Sequence, residues 1–115
     1  MSAAASNNDL KEIDAKFWLN VNLEEVILSG NKNFELIPDQ VATLMKLTRL
    51  DLSATGLKKI NNFLWSLPKL AWLDVSKTSI STLGDLNGKA LSYLDIRNRS
   101  MNKTQFKIFV FLSDR

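Results

Sequence analysis

The chain has 115 residues, 45 % apolar and 23 % charged, with a formal net charge of +3. That is an ordinary globular balance, long enough for one domain and too weakly charged to demand an anionic partner. The complete absence of cysteine and histidine excludes disulfide staples, thiolate and imidazole metal sites, and the Ser-His and Cys-His catalytic constellations.

The opening segment, MSAAASNNDLKEI, has neither the basic n-region nor the apolar h-region of a Sec signal peptide. No stretch of the chain approaches the ~20 apolar residues that a membrane-spanning helix needs. A cytoplasmic protein is therefore expected, with export by a route that uses no cleaved signal left open. Taken alone, the first twenty residues fit an amphipathic helix, with Leu10, Ile13 and Phe17 on one face and Asn8 or Asp9 as its N-cap.

From Leu23 onward one spacing recurs. The segment Leu47 to Ile60, LTRLDLSATGLKKI, places apolar residues at Leu47, Leu50 and Leu52, then Ser53, Thr55, Leu57 and Ile60. The same positions reappear later as Leu70, Leu73, Val75, Ser76, Thr78, Ile80 and Leu83, and earlier as Leu23, Val26, Leu28, Ser29 and Asn31. After one inserted residue the earlier copy continues with Phe34 and Ile37, and a fourth copy reads Leu91, Leu94, Ile96 and Met101. The copies start at 23, 47, 70 and 91, with periods of 24, 23 and 21 residues, and such self-similarity marks a stacked-repeat architecture.

This pattern resembles the leucine-rich repeat, LxxLxLxxN/TxLxxI, closely over Leu23 to Met101. The resemblance implies an α/β fold: a right-handed solenoid with a parallel β-sheet on its concave face and short helical, 3₁₀ or irregular segments on its convex face. Alternation would turn Val26 and Leu28, Leu50 and Leu52, Leu73 and Val75, and Leu94 and Ile96 inward. Buried Leu and Val side chains contribute about 1.5–3 kcal/mol each, so this ladder would hold the stack together.

Asn31, Thr55 and Thr78 stand where the family usually has asparagine, and their short polar side chains are suited to bonding the main chain of the neighbouring turn. The fourth copy has Arg97 in place of the recurrent serine and Arg99 at the asparagine position. Long cations fit poorly inside a stack, which makes that repeat the expected last one. Val41, Leu44 and Leu47 recur as Leu64, Leu67 and Leu70, a spacing for short helices or 3₁₀ turns in the return segments. The third return, with Gly84 and Gly88, is expected to be an irregular loop.

Against the same template residues 1–22 form a degenerate repeat, with Ala3 and Ala5 where Leu50 and Leu52 stand. They are expected to act as an N-terminal cap, since terminal repeats are atypical. A fragment of a longer array is the alternative. Residues 102–115 are expected to close the other end as a helix carrying Phe106, Phe109 and Val110 on one face. A β-strand is the competing reading, because Ile108 to Leu112 is apolar throughout.

No residue set supports catalysis, so neither an enzyme nor a cofactor, metal or small-molecule substrate is expected. The resemblance implies protein binding through the outward positions of the sheet. They form three columns: Glu25, Arg49, Trp72 and Tyr93; Ile27, Asp51, Asp74 and Asp95; Ser29, Ser53, Ser76 and Arg97. Arg, Trp and Tyr are the types most enriched at binding hot spots, so the first column is the leading candidate. Packing of its aromatics against one another is the plainer reading. The aspartates fit a solvated face, or repelling carboxylates that a basic peptide or a cation would relieve. Trp18 and Trp65 are assigned to packing. Two other functions are retained. One is self-association through Phe106, Phe109 and Phe111. The other is weak binding of nucleic acid or another anionic partner by the mildly basic C-terminal end, where Lys103 and Lys107 follow Arg97.

Overall fold

The computed structural model of the protein describes residues 2–80 and 91–97. Five strands, β1 (Ser2–Ala4), β2 (Glu25–Ile27), β3 (Arg49–Asp51), β4 (Trp72–Asp74) and β5 (Tyr93–Asp95), form one open sheet. They lie side by side in chain order, and every neighbouring pair is parallel. The recurring spacing sets the register: Ala3 lies beside Val26, Val26 beside Leu50, Leu50 beside Leu73 and Leu73 beside Leu94.

Each strand is only three residues long, but pairing continues beyond it. Ala5, Leu28, Leu52 and Val75 donate their N–H groups to Ile27, Asp51, Asp74 and Asp95 at 2.8–2.9 Å. Two residues later Asn7, Gly30, Ala54 and Lys77 do the same to Ser29, Ser53, Ser76 and Arg97. Those four last donors share a left-handed backbone, with φ of 56, 81, 53 and 56°. The chain thus turns away from the sheet at one repeated position without breaking the ladder.

Apolar residues from all these segments make one core, from Trp18 and Leu23 to Leu94 and Ile96. The expected inward pairs are all buried, none more than 2 % exposed. Trp18 and Trp65 are buried in the same cluster, as their assignment to packing required. The two described return segments contain 3₁₀ helices at Asp39–Thr43 and Asn62–Ser66, the tighter of the two forms expected there. Asn61 ties one to the other by donating from Nδ2 to the Ile37 carbonyl at 3.1 Å.

Two sequence expectations need correction. The N-terminal helix is short, α1 (Ala15–Trp18), and its cap is Asp14, which accepts from the Lys16 N–H at 2.9 Å. Asn8 donates instead to the Ser6 carbonyl, because the preceding segment is drawn into the sheet. Secondly, Thr55 and Thr78 do not reach the neighbouring turn: each hydroxyl donates to the carbonyl three residues back, Leu52 and Val75, at 2.8 and 2.7 Å. Only the longer Asn31 spans turns, donating to both the Leu28 and Ala5 carbonyls and accepting from the Leu10 N–H. Arg97, assigned to the outward serine column, has an exposed side chain.

The third return with Gly84 and Gly88, Arg99, and the C-terminal segment with Phe106, Phe109 and Phe111 lie outside the described residues. No helix among the described residues is long and apolar enough to cross a membrane.

Candidate functional site

The outward side of the sheet brings the first column together. Glu25, Arg49, Trp72 and Tyr93 are register partners on β2 to β5, and their side chains make a continuous pile. An Arg49 guanidinium nitrogen lies 3.8 Å from a Glu25 carboxylate oxygen. The guanidinium carbon stands 4.4 Å from the centroid of the Trp72 ring. That ring stacks on Tyr93 with centroids 4.8 Å apart and planes within 4° of parallel. The separation equals the spacing between neighbouring strands, so in-register placement alone is enough to stack them.

Arg49 and Trp72 are half-buried and Tyr93 is 37 % exposed. Arg49 Nε is buried with no hydrogen-bond partner among the described residues. The π-cloud beside it supplies part of the lost solvation. The pile therefore shows both faces of Trp72 already occupied and presents ring edges outward, with Tyr93 its most exposed aromatic.

The aspartate column is not a freely solvated row. Asp51 accepts the backbone N–H and hydroxyl of Ser53 on one oxygen at 3.0 and 2.7 Å, and Asp74 does the same from Ser76 at 2.9 and 2.6 Å. In the fourth copy Arg97 takes the serine's part. Its N–H donates to Asp95 Oδ1 at 3.0 Å, while Nε and Nη2 engage both carboxylate oxygens, the shortest contact being 2.6 Å. Each carboxylate thus closes an Asx-type turn at the end of its strand. The recurring signal was Asp-x-Ser at 51–53 and 74–76, with Asp-x-Arg at 95–97.

Their electrostatics differ. Burial raises the Asp74 pKa, and the neighbouring charges of Asp95 and Asp51 add to the rise against the opposing Ser76 bonds. At Asp95 burial also opposes ionisation, but the bonds and charge of Arg97 outweigh it, and the pKa is lowered. Tyr93 is pushed up by desolvation and by the Asp95 and Asp74 charges, and its hydroxyl lies 3.4 Å from Asp95 Oδ2. The site therefore links Glu25 to Arg97 across four strands.

No family model matches the chain, and no curated protein is significantly similar to it. The site has to be read from its own geometry. Glu25, Arg49, Trp72 and Tyr93, with Asp51, Asp74, Asp95 and Arg97, lie together on one side of the sheet. Ser53 and Ser76 were missed as the aspartates' donors. Among the described residues no cluster of three or more potential ligands could hold a metal ion.

Proposed function

We propose that the chain is a leucine-rich repeat solenoid that binds a protein partner, without catalysis, through the outward face of its sheet. The spacing of 21–24 residues, the strand in each copy, and the left-handed position shared by Asn7, Gly30, Ala54 and Lys77 support the solenoid. The observation that carries the binding reading is the pile of Glu25, Arg49, Trp72 and Tyr93, held half-exposed in register on that face. Its rings and guanidinium are pre-ordered, so a partner meeting them loses little side-chain entropy on docking.

The test is capture of a partner from lysate of the source cell. The wild type is compared with an Arg49→Ala, Trp72→Ala, Tyr93→Ala variant of unchanged circular dichroism. A Leu36→Ala, Lys59→Ala variant, altered at exposed positions of the return segments, serves as control. A protein kept by the wild type and the control but lost by the triple variant supports the reading. Equal retention by the triple variant removes the site.

A further inference from the structure

The sheet face leaves one feature of the fold unused. Between β1 and the segment leading to α1 lies a cavity of about 270 Å³, lined by Ala3, Ala5, Leu10, Ile13, Phe17 and Leu28. Its origin is legible in the register. Ala3 pairs with Val26, in line with Leu50 and Leu73 on the next two strands, and Ala5 stands where Leu52 fills the core. Alanine thus stands at two positions that larger apolar residues fill in the neighbouring copies. The return segment still supplies apolar walls, from the three residues that had suggested an amphipathic helix.

Only two charged residues line this cavity, Glu12 and Asp14, both exposed. Lys11 and Lys16 flank them in sequence but are not among the lining residues. One Asp14 oxygen accepts the Lys16 N–H as the helix cap, and its other oxygen takes no part in that bond. The site thus has apolar walls that include the buried Leu28, with Glu12 and Asp14 as its only charged lining residues. Its volume is roughly twice the 150 Å³ of an apolar cavity known to accept benzene. That suits one short alkyl tail or one aryl ring.

We infer that this cavity binds a small amphiphilic cation: an amine whose short alkyl or aryl tail fills the space between Ala3, Ala5 and Leu28 and whose ammonium group rests between Glu12 and Asp14. Apolar burial supplies the attraction and the paired carboxylates select the head group. A carboxylate-headed chain of the same length would place like charges together and be rejected, while the matching alcohol would gain the tail contribution alone. The site is independent of the protein-binding face, so either can fail without the other.

The probes are n-octylammonium, n-octanol and octanoate, titrated into the full chain at neutral pH with amide chemical shifts as readout. Octylammonium is expected to saturate, with shifts concentrated in residues 3–17 and at Leu28, and to bind at least tenfold more tightly than octanol or octanoate. Glu12→Gln should weaken octylammonium several-fold and leave octanol unchanged. Ala5→Leu, which refills the space, should abolish binding of both. Equal affinity for octanol and octylammonium, unaffected by Glu12→Gln, would overturn the cation assignment. Undiminished binding to a folded Ala5→Leu variant, or no saturable binding by any probe, would overturn the site. Should Ala5→Leu fail to fold, the probe comparison and Glu12→Gln decide alone.

Discussion

Arg49 lies with its guanidinium carbon 4.4 Å from the centroid of the Trp72 ring, although the two residues are 23 positions apart in sequence. Tyr93 stacks on the same indole from the strand on the other side, so the indole is the middle of a sandwich. The proposed binding and the stability of the sheet therefore draw on the same side chains. A double-mutant cycle of Arg49→Ala and Trp72→Ala, read by denaturant unfolding, is expected to give a coupling of about 0.5–1 kcal/mol, the usual value for an exposed cation–π pair. Trp72→Ala alone should cost about 2 kcal/mol, since it removes the aromatic stack and buried area as well. Glu25→Gln should cost under about 0.5 kcal/mol, because its ion pair with Arg49 is long and open to solvent. A coupling of zero would mean that the sandwich does not persist in solution.

Among the described residues of its column, Asn31 is the one whose side chain ties two turns together, with both amide hydrogens and the oxygen engaged at a fully buried position. Its removal strands two carbonyls and one N–H. Asn31→Ala is expected to cost about 2–3 kcal/mol, and Thr55→Ala about 1 kcal/mol, since Thr55 makes a single bond within its own turn. Equal losses in chemical denaturation would mean that the link between turns adds nothing.

The repeated left-handed position offers a test of opposite sign. Ala54 and Lys77 hold φ of 53 and 56°, where a side chain is disfavoured by about 1–2 kcal/mol. Replacing either with glycine removes that strain at some cost in unfolded-chain entropy. Ala54→Gly and Lys77→Gly should each stabilise by about 0.5–1 kcal/mol. Gly30→Ala should destabilise, since φ there is 81° and a Cβ would collide with the Asn7 side chain. A lower melting temperature for both glycine variants would refute the repeated turn.

The inward ladder and the outward columns could be read from sequence because strand alternation has a period of two and the copies are nearly equal in length. Position within a copy then translates directly into depth and register. What escaped has physical causes. Gly30, Ala54 and Lys77 share a backbone conformation that their side chains do not announce. Arg97 keeps the serine's part through N–H groups in place of a hydroxyl, an equivalence that residue type alone does not announce. Strand alternation assigns Ser53 and Ser76 to a column of their own, and only the turn after each strand brings them back onto Asp51 and Asp74. Ala3 and Ala5 were visible as lost core residues, but that their loss leaves a cavity with two carboxylates among its lining depends on where residues 10–17 pack.

Asp74 and Asp95 should respond to pH in opposite senses, although they sit side by side in the sheet. The Asp95 pKa is lowered from 3.8 by Arg97 against the pull of burial. Its stabilising contribution is therefore complete above the unfolded value and is lost as pH falls through the lower folded value. The Asp74 pKa is raised from 3.8, by burial first and by its neighbours' charges after that. Ionised Asp74 thus opposes folding: the penalty is complete above the raised folded value and disappears as pH falls below the unfolded one. Asp74→Asn, which keeps an oxygen for the Ser76 donors, should stabilise at pH 7 by a margin that shrinks to nothing by about pH 3. Asp95→Asn should destabilise at pH 7 and converge with the wild type as acid protonates the native carboxylate. Unfolding curves of the three proteins across that range check both signs. If the two variants shifted stability in the same direction at pH 7, Arg97 would not distinguish one carboxylate from the other. A basic partner segment laid over Asp74 would relieve the same penalty, so at low salt its affinity should rise with pH through the raised value, and Asp74→Asn should flatten that rise.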